Sequence, residues 1–362
     1  MSRVGRQNRL TRFLIMAVCL PVSATIRDVA SSADAWNASC ISNGLWTGAV
    51  AMVGTRDDVL YRRAWGWMDT EKRVPMPLDA VFDLASVTKA VGTATALAVC
   101  IDRGLIDPDA DFNTYLPGYA GELKGTVSVR DLARHISGFS NDKPYDAEGE
   151  VTERILRFSP VRPAGARYVY SCGNYIFLGL IIENVVKMDL AEFCRKNVFD
   201  PLGMARTEWG PLQNPDPHRV VRQGITHTFG MASDPPARRA RHPVGNAGLF
   251  STAEDLSALS RMMLRRGESG GKRLLSAEAV QMLGTRPDSR SPVAFGWRVD
   301  VAYNPRALSD STLSHTGWAG HSIWIDPASQ RYVIILTNRT GDHEQAGKAR
   351  TELADRILKS LK

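Results

Sequence analysis

Apolar residues fall in short runs at the two ends of the chain and in longer, helix-like groups between them. Gly48–Val53 (GAVAMV) and Val59–Trp67 (VLYRRAWGW) are rich in β-branched and aromatic residues and flank Gly54-Thr55-Arg56-Asp57-Asp58, which predicts a β-hairpin. Near the other end, Phe295–Val301, Ser322–Asp326 and Arg331–Asn338 read as strands, the last two joined by Pro327–Gln330. Residues 86–104 read as a mostly apolar helix with Gly104 as its C-cap. Helical patterns recur at Val127–Ile136, Ile176–Val186, Leu190–Asn197 and Ala253–Arg266, and Glu344–Leu361 predicts a closing amphipathic helix. Strands at both ends and helices in the middle imply an α/β (α+β) fold: an antiparallel sheet built from both chain ends, flanked by helices, with an inserted, mostly helical domain. On this division residues 42–110 and 290–362 form the α/β part, and residues 111–289 the helical insertion. The polar, Ala/Ser-rich stretch 25–41 reads as a flexible segment, and no internal repeat is present.

The first 24 residues follow another pattern. Arg3, Arg6, Arg9 and Arg12 precede the apolar run Phe13–Leu20, followed by Pro21 and Val22-Ser23-Ala24. A basic region, a short apolar region and a small-x-small site, in that order, predict a secretory signal peptide and a periplasmic or secreted protein. The apolar run is too short for a spanning helix, which needs about 20 residues. No Arg-Arg pair precedes it, which points to Sec-type export. Cys19 suggests a lipoprotein site, but Val18 before it is larger than such sites prefer.

Composition changes this picture little. With 44% hydrophobic and 23% charged residues, the 362-residue chain is ordinary globular protein, neither disordered nor fibrous. The net charge of +7 invites a nucleic-acid or membrane reading, but removing residues 1–24 with their four arginines leaves +3. The densest basic run, Arg238-Arg239-Ala240-Arg241-His242, is short and lacks interleaved aromatics, so it reads as a solvated loop and no nucleic-acid partner is expected. Five cysteines are too few for a disulfide scaffold. The seven histidines form no His-x-x-x-His, there is no Cys-x-x-Cys, and neither Gly-x-Gly-x-x-Gly nor a Walker motif occurs. Zinc and nucleotide sites are therefore unsupported, and no cofactor is expected.

Two serines qualify as nucleophiles by motif. Gly267-Glu268-Ser269-Gly270-Gly271 matches Gly-x-Ser-x-Gly, but it follows a helical stretch where a nucleophile elbow needs a strand, so it reads as a loop. Ser86-Val87-Thr88-Lys89 opens the apolar helix. This spacing puts serine and lysine on one helical face, one turn apart, with the serine at the positive end of the helix. A lysine packed on a buried helix can lose its proton and act as a base. Tyr170-Ser171-Cys172 precedes a second apolar helix, and His315-Thr316-Gly317 opens Trp318-Ala319-Gly320-His321. Each of these is weak alone.

Together and in order, the segments resemble the serine β-lactamase and penicillin-binding protein superfamily, in the branch of class C β-lactamases, D-alanyl-D-alanine carboxypeptidases and family VIII esterases. Supporting matches are Asp131–Phe139, Pro201-Leu202-Gly203-Met204, Asn246–Thr252 and Phe295-Gly296-Trp297. The resemblance spans about Gly48 to Asn338 and implies an acyl-enzyme serine hydrolase. It assigns Ser86 as nucleophile, Lys89 as its partner base and Tyr170 as the proton shuttle. The backbone N–H groups of Ser86 and Trp318 become the oxyanion hole, and Cys172, His315, Thr316 and Gly317 the substrate-binding positions. The implied partner is a small ester or peptide-like substrate, and no metal is implied.

Two positions depart from the family pattern. Cys172 stands where Asn or Asp is usual, and a thiol is a weak donor and acceptor, which puts amide recognition in doubt. It is a free buried thiol, a disulfide partner (with Cys194 as candidate) or a second reactive group; the free thiol is favoured because free Cys behaves as a small buried hydrophobe. His315 replaces the usual lysine and is mostly neutral at pH 7. The expectation is an exported esterase or D-alanyl carboxypeptidase with weak or no β-lactamase activity. The alternative is an impaired penicillin-binding-type module that binds cell-wall peptides or β-lactams without turnover.

Overall fold

The computed structural model describes residues 22–142, 150–240, 242–286 and 288–361. The basic and apolar parts of the expected export signal, Cys19 included, lie outside the described residues. Strands β1 (Trp46–Thr55) and β2 (Val59–Gly66) form the first hairpin. Strands β3 (Phe82–Asp83), β4 (Glu208–Trp209) and β5 (Leu249–Ser251) are short and pair with one another. A small hairpin of β6 (Glu268–Ser269) and β7 (Lys272–Arg273) follows, then β8 (Leu313–Gly317), β9 (His321–Asp326) and β10 (Arg331–Arg339). The main sheet runs β2-β1-β10-β9-β8 and is antiparallel throughout, so strands from the two chain ends meet at β1 and β10.

The unbroken apolar runs in β1 and β10 follow from burial on both faces. Ala51, Val53, Val333 and Ile335 pack beneath α1 (Val22–Ser42) and the C-terminal helix His343–Ser360. Val50, Met52, Ile334 and Leu336 face the opposite core with the middle helices. Alternation along each strand thus serves two cores. In chain order after α1, helices α2 (Thr95–Asp102), α3 (Cys172–Val186), α4 (Ala253–Leu264) and α5 (His343–Ser360) are used below.

Three expectations need correction. The stretch 25–41, expected to lack regular structure, is helical: it lies within α1, whose Ala33, Trp36, Asn37 and Cys40 recur at helical spacing toward the protein, with the Trp36 indole donating to the Ala349 carbonyl (3.0 Å). Ala/Ser richness hid that stripe, although Ala is the best helix former. Phe295–Val301 is not a strand; only isolated bridges at Val293, Arg298 and Ser314 occur there, and Gly296 has φ +78°. The edge strand is instead Leu313–Gly317, so the His-Thr-Gly motif lies on the sheet itself. Finally, the helix opened by Ser86 is not uniformly α: Lys89–Ala94 is π-helical before α2 begins. Such wide turns often occur at functional sites.

Candidate active site

Ser86 sits at a sharp strand-to-helix corner. Strand β3 pairs with β5, Leu84 N–H donates to the Leu249 carbonyl (2.8 Å), and Ala85 then takes φ +46° before the helix begins at Val87. A non-glycine residue in the left-handed region is held there by its surroundings. The Asp83 carboxylate is the holding group: it accepts from Ala85 N–H (3.0 Å) and from Ser233 N–H (2.7 Å).

Lys89, one turn on, is completely buried. Its ammonium donates to Ser86 Oγ (3.2 Å) and to the Asn246 carbonyl (2.8 Å). The 245–249 segment is pinned against this helix by Thr93 Oγ1 donating to the Gly245 carbonyl (2.7 Å) and by Leu249 N–H donating to Thr88 Oγ1 (3.1 Å). Gly245 is required there, since a Cβ would lie 2.1 Å from the Tyr175 carbonyl. Burial pushes the Lys89 pKa down, but the electrostatic influence of the acidic groups around it, with hydrogen bonding to Tyr170, outweighs burial and the net direction is up. That direction, with two acceptors facing the nitrogen, favours the charged form of Lys89.

Tyr170 lies on the loop before α3 and lines the same cavity as Ser86, and its hydroxyl is electrostatically coupled to Lys89. Burial raises its pKa, while the Lys89 charge opposes the rise. The Lys89 ammonium lies 5.1 Å from the Tyr170 ring centroid. Beneath the tyrosine is His135, a residue the motif scan gave no role. Its ring stacks 4.6 Å from that of Tyr170, its backbone has φ +58°, and its Nδ1 accepts from Ser171 N–H (3.1 Å). An accepting Nδ1 makes the imidazole neutral; burial first, then the Lys89 charge, holds its pKa well below the usual histidine range.

Cys172 begins α3, is 5% exposed, and its N–H donates to Asn141 Oδ1 (3.3 Å). It is a free thiol, as are Cys40, Cys100 and Cys194. Cys194 is not its partner: it packs with Sγ 3.9 Å from the Gly92 carbonyl and is electrostatically coupled to Cys100.

On β8, His315 Nδ1–H donates to the Thr316 carbonyl (2.9 Å), leaving Nε2 as an acceptor. Burial, then the charge of Lys89, pushes its pKa down to about 3, so His315 is neutral at pH 7. Gly317 lets β8 reach the nucleophile loop, since a Cβ would stand 2.5 Å from the Leu84 carbonyl. Trp318 follows, 43% exposed. Among the described residues, neither Ser86 N–H nor Trp318 N–H donates to a backbone carbonyl, so both are available to a ligand.

Ser86, Tyr170, Cys172, His315, Thr316 and Trp318 line one cavity of about 1150 Å³. Lys89 lies beneath it, Gly317 behind it. All sequence-predicted site residues are thus brought together. Arg298 and Arg238, which the scan did not single out as site residues, also line this cavity. Arg298 is paired with Asp300 (2.6 Å), and Arg238 donates to the Ala232 carbonyl (2.9 Å), so part of the basic run is anchored on a short helix, Pro235–Arg239. Ser269 lies in the β6–β7 hairpin and does not line the cavity. Among the described residues no cluster of His, Cys, Asp or Glu is arranged for a metal, and no helix is long and apolar enough to cross a membrane.

A protein from Escherichia coli (strain K12), provisionally named D-alanyl-D-alanine carboxypeptidase, is 29% identical over 78% of this chain and 76% of its own. EstCE1, described as a hydrolase with promiscuous acyltransferase activity, superposes with a TM-score of 0.77 at 21% identity, covering 93% of this chain and 100% of its own. A family VIII carboxylesterase gives 0.72 at 19% identity, over 95% and 100%. The family model described as Beta-lactamase matches residues 38–357, and the chain therefore belongs to the beta-lactamase family, as a serine hydrolase of that fold.

Proposed function

We propose that this protein hydrolyses a carboxylic ester or peptide-like amide through an acyl-enzyme on Ser86. The observation that carries the reading is the contact of the buried Lys89 ammonium with Ser86 Oγ (3.2 Å), under a cavity that both Ser86 and Tyr170 line. Ser86 Oγ attacks the substrate carbonyl. Its proton passes to Tyr170 Oη as the Tyr170 proton passes to the leaving oxygen or nitrogen, so no free phenolate need persist. Lys89, already charged, stabilises the oxygens between which the protons move. The N–H groups of Ser86 and Trp318 receive the developing oxyanion; one such donor is worth about 10²–10³-fold in kcat. Water then takes the place of the leaving group, and the same relay runs in reverse.

Cys172 bears on the substrate class. An amide substrate brings an N–H that needs an acceptor, and a thiol is a poor one; an ester has no such requirement. His315, neutral, offers no fixed charge to a carboxylate. Esters therefore head the reading, D-alanyl peptides follow, and β-lactams come last. The E. coli relative's name supports the peptide class and the carboxylesterase neighbour the ester class. Cys172 also motivates a second reading, a module that binds such peptides without turnover. The order of basic, apolar and small residues in 1–24 supports export to the periplasm or medium.

The test is a panel of short-chain p-nitrophenyl esters, D-Ala-D-Ala peptides and nitrocefin, run on wild type and Ser86→Ala. Ser86-dependent ester turnover is expected. Undiminished turnover in Ser86→Ala overturns the assignment, and ligand binding without any turnover by wild type establishes the second reading.

A further inference from the structure

Arg339, at the end of β10, is 4% exposed, and no carboxylate forms an ion pair with it among the described residues. A buried charge without an acid partner is costly and needs a reason. Burial pushes its pKa down, and Asp342 opposes this only by its field. Its guanidinium is held at Trp318, in the turn between β8 and β9, and at Gly341, just after β10. Nε–H donates to the Trp318 carbonyl (2.8 Å), and the guanidinium carbon lies 4.6 Å from the Trp318 ring centroid. One terminal nitrogen donates to the Gly341 carbonyl (2.6 Å), and the other is buried without a partner.

The turn itself is over-determined. Ala319 C=O accepts from Gln223 Nε2 (3.1 Å) and Gly320 C=O from Thr337 Oγ1 (2.5 Å). A Cβ on Gly320 would lie 2.7 Å from Arg339 Cβ. Successive carbonyls at 318, 319 and 320 are therefore captured by three different side chains. Of these, only the one at 318 is captured by a charge, and that residue also lines the cavity with Ser86 and carries an N–H that donates to no backbone carbonyl among the described residues.

We infer that Arg339 is a positioning residue for the oxyanion hole: it fixes the Trp318 peptide and indole from behind, and its buried charge favours negative charge developing on the substrate oxygen that the Trp318 N–H receives. This rests on the reading of Trp318 N–H as an oxyanion donor. The effect belongs to the tetrahedral state and not to ground-state binding.

The experiment compares wild type, Arg339→Lys and Arg339→Met in the full chain. Reactive sites are counted with a fluorophosphonate, p-nitrophenyl butyrate gives kcat and KM, and phenylboronic acid gives an inhibition constant. Phenylboronic acid adds Ser86 Oγ to boron, releases the serine proton and leaves a negatively charged tetrahedral boronate, so it reads the hole directly. Arg339→Met is expected to lose roughly 10- to 100-fold in kcat per titrated site, with a parallel loss of boronate affinity and little change in KM. Arg339→Lys, which keeps the charge but not the stacked fork, is expected to fall between. Unchanged kcat and boronate affinity per site, or a loss confined to KM, overturns the inference. If Arg339→Met does not fold, the same comparison with Arg339→Lys decides. A Ser86→Ala control separates failures: full turnover there refutes the Ser86 reading, whereas a dead Ser86→Ala beside an unimpaired Arg339→Met refutes this inference alone.

Discussion

Gly317→Ala adds one methyl group where the edge strand passes the nucleophile loop. Its Cβ would stand 2.5 Å from the Leu84 carbonyl oxygen, whereas an ordinary carbon–oxygen contact is about 3.3 Å. About 0.8 Å must therefore come from one side or the other. The loop cannot give way cheaply, because Leu84 N–H is bonded to the Leu249 carbonyl (2.8 Å) and the Asp83 carboxylate holds Ala85 N–H (3.0 Å). The strand is held by the pairing of Gly317 with His321. Whichever moves, the distance between Ser86 and Trp318 changes, and a misplacement of about 1 Å at reacting groups costs about 10²-fold. Gly317→Ala should accordingly lose about 100-fold in kcat/KM, about 2.7 kcal/mol of transition-state stabilisation. The assay is p-nitrophenyl butyrate hydrolysis normalised to fluorophosphonate-reactive sites, with Tm measured alongside. Gly104→Ala is the control: its φ is +68° with nothing within 4 Å of the added Cβ, so it should cost about 1 kcal/mol of stability and leave kcat/KM within about twofold. If Gly317→Ala keeps kcat/KM within about threefold of wild type, the close approach of β8 does not set the catalytic geometry.

Three further outcomes are expected. Lys89→Met should lose about 10³-fold or more in the rate of Ser86 acylation, read by single-turnover kinetics; acylation at the wild-type rate would show that the buried ammonium plays no part. Cys172→Asn should raise the ratio of D-Ala-D-Ala peptide to ester turnover by about tenfold, because an amide side chain supplies the acceptor a thiol lacks; an unchanged ratio would clear Cys172 of a role in substrate class. His315 and His321 are buried neutral, with pKa values pushed down to about 3, chiefly by burial. In the unfolded chain they bind protons below about pH 6.5, so unfolding takes up protons and stability falls as pH drops from about 6.5 toward 3. Each adds a slope of at most about 1.4 kcal/mol per pH unit, and urea titrations of His321→Gln should show a slope smaller by that amount; an identical slope would mean that His321 is not buried neutral.

How much of this was legible in the sequence differs by residue, for physical reasons. The β1–β2 and β9–β10 hairpins stood out because β1, β9 and β10, buried on both faces, need long apolar runs, and β2 follows β1 across a short polar loop. The Ser-x-x-Lys pair stood out because the rest of its helix is apolar. The strands β3, β4 and β5 are two or three residues long and cannot show a period of two, yet they anchor the nucleophile loop. Leu313–Gly317 shows little strand pattern outside its His-Thr-Gly edge because its small and polar residues face a cavity, while Phe295–Val301 looks like a strand because its aromatics pack into the core. Ala85 gives no hint of a left-handed φ, since the Asp83 carboxylate that accepts from its N–H is itself held by a long-range contact, the Ser233 N–H. His135 sat in a recognised segment, but its role depends on a ring stacking across 35 residues of chain. Arg339 carries no signal in the sequence; only its burial against Trp318 singles it out.

Trapping the intermediate addresses Ser86 itself. Wild type and Ser86→Ala are incubated with a slowly deacylating p-nitrophenyl ester, quenched in acid, digested and mapped by mass spectrometry. The mass of one acyl group should appear in the wild type on Ser86 in the peptide spanning the Ser86–Lys89 motif, and be missing from Ser86→Ala. An acyl group on Cys172 or Ser269, or equal labelling of both proteins, would contradict the acyl-enzyme mechanism drawn from this site.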